Sequence, residues 1–206
     1  NILIGDIKQL KRTEKFVFIY SRNQNHVMMF DTSGKFIRKI GRVGQGPGEI
    51  ANIDFFTVSD NLVFIYPFSR NGSLTVYDMR DNIFVKEIPL KWPNFYSEAI
   101  DVMEDCLVYY PGTVSNGNER VFISACVVNE KGETLMEQIP YLPAGVDKSE
   151  MTLSSDASWI YQGRSNVYSQ INDTIYGITC DSIYPRYRLS LIHICEPTRR
   201  TPISYA

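Results

Sequence analysis

A repeat of short strand-like segments constrains the fold of this chain more than any other feature of its sequence. The segment FVFIY at residues 16–20 recurs as LVFIY at residues 62–66 and as CLVYY at residues 106–110. Equivalent positions in the first two copies, such as Val17 and Val63, lie about 46 residues apart. A period of this length is typical of the blades of β-propellers.

Each copy of the repeat predicts four short strands. Runs rich in β-branched and aromatic residues alternate with Gly, Asn, Asp and Pro, which is the pattern of strands joined by tight turns. The turns DTSG at 31–34 and NEKG at 129–132 carry an Asp or Asn that can cap the turn and a Gly that can take a positive φ. The first strand of each copy is the least regular, and we predict these strands at 4–10, 54–58, 99–103 and around Trp159.

The period, the strand count and the turns together predict an all-β fold, a β-propeller of about four blades. The blades are expected at approximately residues 1–41, 42–90, 91–142 and 143–188, and the fourth is the weakest copy. A β-sandwich, which also consists of short strands joined by regular turns, is the alternative. The near-identity of FVFIY and LVFIY one period apart favours the propeller.

The charge of the chain argues against nucleic acids as partners. With 21 Lys and Arg residues against 23 Asp and Glu residues, the formal net charge is −2 and the sequence pI is about 5.8. Proteins that bind nucleic acids or anionic membrane surfaces generally carry a strong basic patch. We therefore predict no nucleic-acid partner and no direct electrostatic membrane binding.

A glycine-rich segment, GRVGQGPG at residues 41–48, joins the first copy to the second. Such a segment resembles a phosphate-binding loop, but a phosphate loop is followed by the N-terminus of a helix. Here the residues after the loop lead into another strand. We predict a tight crossover from one blade to the next.

The stretch FDTSGKFIRKIGRVGQGPGE at residues 30–49 resembles an NHL-type propeller repeat. It resembles more closely a six-bladed β-propeller family abundant in the cell envelopes of gut anaerobes, whose loop reads close to GRxGQGPGEY. INDTIYGI at 171–178 and the strand beginning at Arg186 match later motifs of that family, whereas Ile50 and Gly177 depart from its pattern.

The resemblance implies a longer parent protein at the cell envelope. Members of that family have six blades, about twice this length and an N-terminal lipoprotein or secretion signal. We expect this chain to be a fragment of about four blades, truncated at both ends. Its localisation would be the periplasm or the outer membrane, and its membrane attachment a lipid anchor outside the present sequence.

The last segment, residues 189–206, lacks the pattern of strands and turns that defines the repeat. LSLIHICEPTR resembles a translated sequencing-adapter end, apart from one Ser codon changed to that of Cys195. We predict that this tail is non-native read-through and that His193 and Cys195 have no functional role. A natural tail with one extra strand is the alternative.

The sequence predicts no catalytic residues, no metal site and no cofactor. The four cysteines show no spacing typical of metal ligands, and we predict buried free thiols, with a disulfide as the alternative. Propeller enzymes related to the NHL repeat hold a metal near the central channel, and His26 alone cannot supply such a site. We expect His26 to face solvent or to be bonded locally. Carboxylates that could line the channel are Asp54, Glu98, Asp101 and Glu104.

Polar loops predict a ligand-binding face on one side of the propeller. The loops between second and third strands and the crossovers between blades emerge on the same side, where guanidinium and amide groups could bind sugars or peptide carboxylates. The candidate ligand-binding residues are Arg22, Asn23, Arg42, Gln45, Arg70, Asn71, Arg120 and Asn172. The function predicted from this face is non-catalytic binding or scaffolding of a glycan, peptide or envelope protein. The alternative is a metal-dependent lyase or lactonase whose ligands lie in the missing blades.

Overall fold

The structure, a computed structural model, describes residues 4–21, 25–67, 72–92, 99–116, 119–138, 157–168 and 173–189 of the chain. All regular elements in these ranges are β-strands. No described segment forms a helix with the length and apolar character that a membrane span requires.

The described strands form four antiparallel sheets of four strands each, here called blades 1 to 4. Blade 1 contains β1 (Ile7–Arg12), β2 (Phe16–Ser21), β3 (Val27–Asp31) and β4 (Phe36–Ile40). Blade 2 contains β5 (Ile53–Ser59), β6 (Leu62–Pro67), β7 (Ser73–Asp78) and β8 (Ile83–Pro89). Blade 3 contains β9 (Ile100–Val102), β10 (Leu107–Tyr109), β13 (Ala125–Val128) and β14 (Thr134–Gln138). Blade 4 contains β15 (Ala157–Tyr161), β16 (Arg164–Tyr168), β17 (Thr174–Ile178) and β18 (Ile183–Arg188).

Blade 3 carries an additional hairpin, β11 (Gly112–Asn116) paired with β12 (Glu119–Ile123). This hairpin is an addition to the four-strand repeat that the sequence predicts for each blade. The chain pairs with itself on both sides of residues 117–118, and Ser124 then separates β12 from β13.

Successive blades are neighbours through their first strands, so that β1, β5, β9 and β15 follow one another along the inner side of the molecule. Within each blade the remaining strands lie progressively further outward. This is the arrangement of a β-propeller, and the predicted fold class is confirmed.

Three of the hydrophobic clusters among the described residues lie between blades, and a fourth, made of Ile19, Met28 and Phe30, lies on blade 1. Phe18 and Tyr20 of β2 pack in one cluster with Val63 and Ile65 of blade 2. Phe64 and Tyr66 of β6 point the other way, into a second cluster shared with blade 3. A third cluster joins blades 3 and 4 through Val108, Tyr110, Val167 and Ile178. In β6 and β10, the period-two alternation therefore divides the side chains of the strand between its two neighbouring blades.

The hairpin turns between third and fourth strands follow the predicted chemistry. The Asp31 carboxylate accepts hydrogen bonds from the backbone N–H groups of Ser33 and Lys35, each at 2.9 Å, and Gly34 has a φ of +85°. The side chain of Asn129 accepts equivalent bonds from the N–H groups of Lys131 and Glu133. The side-chain oxygen replaces backbone partners that a tight turn leaves unbonded.

The outermost strand of every blade contains a β-bulge at the same place. In each case one residue lies between two that pair with consecutive residues of the neighbouring strand. The extra residues are Ile37, Val85, Leu135 and Arg186. The three aliphatic ones are 37%, 47% and 47% exposed.

Cys106 and Cys180 form a disulfide that joins blade 3 to blade 4 across 74 residues of sequence. The predicted free thiols are therefore wrong for this pair, because the fold brings the start of β10 beside the turn after β17. Cys126 is free and buried, as predicted, and burial raises the pKa of its thiol to about 11. Cys195 lies outside the described residues.

Candidate functional site

The glycine-rich crossover at residues 41–48 is held to blade 2 by backbone hydrogen bonds. The N–H of Gly41 donates to the Asn82 side chain at 2.9 Å, and the N–H of Arg42 donates to the Tyr77 hydroxyl at 3.2 Å. The Arg42 carbonyl accepts from the N–H of Ile50 at 2.7 Å. The predicted tight crossover is confirmed.

Tyr77 connects the two ends of this crossover. Its hydroxyl accepts from Arg42 at the start of the loop and donates to the carbonyl of Gly48 at the end. Its ring packs edge-on against Phe84, with centroids 6.3 Å apart. Burial raises the pKa of Tyr77, so its hydroxyl remains a donor at neutral pH.

The glycines of the crossover leave room for two side chains. Gly48 has a φ of +71°, and a Cβ there would lie 2.5 Å from Cγ of Phe84. A Cβ on Gly44 would overlap the carboxylate of Glu49, to which the N–H of Gly46 donates at 3.0 Å. The backbone of the loop therefore lies against an exposed carboxylate of its own chain.

Arg42 and Gln45 project from this crossover into solvent, and both side chains are exposed. They are the two candidate ligand-binding residues whose side chains the structure describes. Arg120 lies in β12, opposite Ser115, with only its backbone described. The candidates that fall outside the described residues are Arg22, Asn23, Arg70, Asn71 and Asn172. The structure thus places two of the eight candidate residues, Arg42 and Gln45, on one surface. The larger ligand-binding face that the other six would form stays a prediction.

The carboxylates on the inner strands bond to neighbouring blades. Asp54 of β5 accepts from the Lys8 ammonium of β1 at 2.9 Å. Asp101 of β9 accepts from the hydroxyls of Tyr110 and Ser165, both at 2.5 Å. Of the other two predicted carboxylates, Glu104 is exposed and Glu98 lies outside the described residues.

The Asp101 network is buried between blades 3 and 4. Tyr110 and Ser165 are fully buried, Asp101 is 9% exposed, and the two hydroxyl oxygens lie side by side. Burial, together with the nearby charge of Asp101, raises the pKa of Tyr110 well above its usual value. Tyr110 is therefore a permanent donor, and the network ties the two blades together.

His26 is buried, in contrast to the predicted solvent-facing or locally bonded role. It is 9% exposed, and its Nε2 has no hydrogen-bond partner. Burial, and to a lesser extent the charge of Lys39, lowers its pKa. Within the described ranges, no three His, Cys, Asp or Glu side chains lie close enough together to hold a metal ion.

Blade 4 carries an aromatic and cationic surface that we did not predict from the sequence. Trp159, Tyr161 and Tyr187 are 40%, 53% and 52% exposed. The guanidinium of Arg186 lies 5.4 Å from the ring centroid of Tyr161 and 5.1 Å from that of Tyr187. These four residues and Arg164 are called the Arg186 surface below. The aromatic residues of β15 and β18 are visible in the sequence. They indicate a shared surface only when the two strands are known to lie in one sheet.

The fold and the inner-strand contacts define the chain as a β-propeller protein. The chain belongs to the family described as domain of unknown function DUF4934, whose pattern it matches over residues 1–202. This match includes most of the tail at 189–206, whose adapter origin stays a prediction. No curated protein is significantly similar in sequence.

Several solved structures share the fold. A protein of Bacteroides fragilis NCTC 9343, provisionally named as exported, is 18% identical with a TM-score of 0.67, covering 92% of this chain and 52% of its own. A DUF4221 member from Bacteroides vulgatus is 9% identical with a TM-score of 0.55, covering 91% and 59%. A streptogramin B lyase is 15% identical with a TM-score of 0.54, covering 92% and 57%. The present chain spans little more than half the length of these proteins.

Proposed function

We propose that this chain is part of a non-catalytic binding module at the bacterial cell envelope, recognising a glycan, peptide or protein partner. The observation that carries the proposal is the presentation of Arg42 and Gln45. Both side chains are exposed on a crossover whose backbone is fixed by Tyr77, Asn82 and Ile50. A backbone that is already fixed lowers the part of the entropic cost of binding that comes from ordering the loop.

The chemistry of this pair suits carboxylates and hydroxyls. A guanidinium offers a planar set of donors that matches a carboxylate, and an amide can both donate and accept. In the proposed site the loops that contain Arg22, Arg70 and Asn172 extend the same face. The complete ligand site would then be spread over several blades.

Two observations support an envelope location. The disulfide between Cys106 and Cys180 is typical of proteins that mature in an oxidising compartment. The similar protein from Bacteroides fragilis is provisionally named as exported. Together with the resemblance to envelope propellers, they support periplasmic or outer-membrane localisation in a parent with six blades.

Binding to arrayed glycans and peptides tests the proposal. The wild-type chain should bind a restricted set of array members, and Arg42→Ala with Gln45→Ala should reduce that binding about tenfold or more. Arg80→Ala is the matched control, because it removes an exposed guanidinium whose Nε donates to Asn61 in the blade 2 turn. Binding that is equal in all three proteins, or absent in the wild type, would contradict the proposal.

The alternative function, a metal-dependent lyase or lactonase with its ligands in other blades, makes a different prediction. Turnover of an array member that stops on addition of a chelator would favour the enzyme. Binding that is insensitive to the chelator and lost with Arg42→Ala would favour the binding module.

A further inference from the structure

Val43 is an exposed apolar side chain in the crossover between blades 1 and 2. It is 59% exposed, which is the largest value for a large hydrophobic side chain within the described ranges. Most of the other exposed ones belong to strands. The crossover lies between two described blades, and Tyr77 holds both of its ends. The exposure of Val43 is therefore a property of the crossover itself.

The backbone of Val43 is also open. Val43 and Ile50 form an isolated parallel bridge. In this bridge the Arg42 carbonyl accepts from the N–H of Ile50 at 2.7 Å, and the N–H of Gly44 donates to the Ile50 carbonyl at 3.2 Å. Because successive residues of an extended chain direct their N–H and C=O groups to opposite sides, those of Val43 point away from Ile50. No described group bonds to them.

The polar side chains beside Val43 have no partner in the described part of the chain either. Arg42 and Gln45 are exposed, and the described ion pairs involve other cations. The carboxylate of Glu49 accepts from the N–H of Gly46 at 3.0 Å. A guanidinium in this state can accept a carboxylate from another molecule, to which it can donate two parallel hydrogen bonds.

We propose, on the basis of the function proposed above, that residues 42–45 bind an extended peptide segment in which an acidic residue follows or precedes an apolar one. The apolar residue exchanges two backbone hydrogen bonds with Val43, as in an antiparallel strand pair, and its side chain covers the Val43 isopropyl group. The neighbouring acidic side chain then lies on the opposite side of the peptide, which is also the side of Arg42 relative to Val43. Residues 42–45 are called the crossover edge below.

A glycan matches the crossover edge less well than a peptide does. Residues 41–50 contain no aromatic side chain on which the C–H face of a sugar ring could stack. The two rings that contact the crossover lie beneath it, since Tyr77 is fully buried and Phe84 packs against Gly48. An open N–H and C=O pair beside an apolar side chain instead has the form of another polypeptide backbone.

Fluorescence polarisation with the 206-residue chain and labelled pentapeptides tests the proposal. The probes are a library with a central valine, a glutamate at one neighbouring position and the other positions varied. The library should contain binders, and replacement of their glutamate by glutamine should weaken binding about tenfold. N-methylation of the central valine should also weaken it about tenfold or more, because the methyl group blocks one bond of the backbone pair. Equal binding of the N-methylated peptides would overturn the backbone pairing.

Variants locate the binding on the crossover edge. Val43→Pro removes the open N–H and leaves the two bonds to Ile50, and it should lower the affinity about tenfold. Val43→Ala keeps the backbone and should lower the affinity about threefold to tenfold through the lost apolar contact. Val85→Ala is the matched control, because it shortens an exposed aliphatic side chain on β8. Circular dichroism confirms folding, and unchanged affinity in both Val43 variants would overturn the assignment.

The peptide library and the glycan array together separate this proposal from the function on which it rests. Glycan binding that is lost with Arg42→Ala, without binding of any peptide, would retain the binding module and overturn the peptide as its ligand. Peptide binding that is lost with Arg42→Ala and with Val43→Pro would support both. The absence of any glycan or peptide binding would overturn both.

Discussion

Lys8 and Asp54 occupy the same position in consecutive blades and form an ion pair with each other, with 2.9 Å between Nζ and the carboxylate. Each is the extra residue of a bulge in the first strand of its blade, next to Ile7 in one case and Ile53 in the other. Lys8 also donates to the backbone carbonyl of Asp54 at 2.8 Å. One repeat position has thus acquired opposite charges in two blades, and the pair joins them.

Exchange of the two charges tests this relationship. Lys8→Met and Asp54→Asn should each lower the free energy of unfolding by about 1–2 kcal/mol, since each removes one charge of a partly buried ion pair. The double exchange, Lys8→Asp with Asp54→Lys, should recover part of that loss because the two backbone positions are equivalent. Urea unfolding of the three variants gives the values. A double exchange that is as unstable as the sum of the single changes would contradict the pairing.

Reduction of the disulfide should loosen blade 4. A crosslink across 74 residues stabilises a protein by about 4 kcal/mol if it acts through the entropy of the unfolded chain. Cys106→Ser with Cys180→Ser should therefore lower the midpoint of urea unfolding and increase hydrogen exchange in β16 and β17.

Cys126→Ala is the control for that experiment, because it removes the buried free thiol and leaves the crosslink. Reductant should shift the unfolding midpoint of the wild type and of Cys126→Ala, but not that of the double serine variant. A midpoint of the wild type that reductant does not move would show that the crosslink contributes nothing.

Two glycines with positive φ separate the effect of backbone strain from that of packing. Gly34 has a φ of +85° with nothing within 4 Å of a Cβ, whereas Gly48 would also place its Cβ against the Phe84 ring. Gly34→Ala should cost about 1 kcal/mol from strain alone, and Gly48→Ala about 1–3 kcal/mol more because the ring must move. Chemical unfolding measures both. Equal losses would mean that the crossover does not pack tightly on β8.

The stability of blade 1 should decrease in acid because of His26. Its pKa is lowered in the folded protein by burial, so below the unfolded value of 6.5 the unfolded chain binds a proton that the native chain does not. The free energy of unfolding begins to decrease as the pH falls through 6.5 and continues to decrease down to the lower pKa of His26 in the native protein. His26→Gln should lose less free energy of unfolding than the wild type between pH 8 and pH 5. Parallel losses in the two proteins would show that other groups account for the acid sensitivity.

The repeat made the fold predictable because strand pattern, turn chemistry and period are all local properties. The four first strands and the crossover at 41–48 were placed within a few residues on that basis. The predicted solvent-facing position of His26 is wrong because the prediction followed the polarity of the side chain and not its position relative to the strand. It precedes Val27 on the side of β3 that also carries the buried Met28, and the strand directs it inward.

Features that depend on two distant segments could not be predicted. The sequence separation of Cys106 and Cys180 does not indicate a disulfide unless blades 3 and 4 are already known to be adjacent. The Arg186 surface likewise combines Tyr161 of the inner strand with Arg186 of the outer strand, and the fourth copy of the repeat was too weak to align them. Arg42 and Gln45 could be predicted as exposed because the loop that carries them is continuous in sequence.

The bulges at Ile37, Val85, Leu135 and Arg186 affect how this molecule meets other molecules. The outermost strand of each blade is an open edge, and a straight edge with regularly spaced N–H and C=O groups can pair with a strand from another chain. A bulge interrupts that spacing and increases the local twist, so a foreign strand finds only a few consecutive partners on any blade. Contacts between the outermost strands and another molecule are therefore made mainly by side chains and not by backbone pairing. At high concentration the protein can therefore resist edge-to-edge aggregation, although each of the four blades exposes an aliphatic or aromatic side chain at its edge.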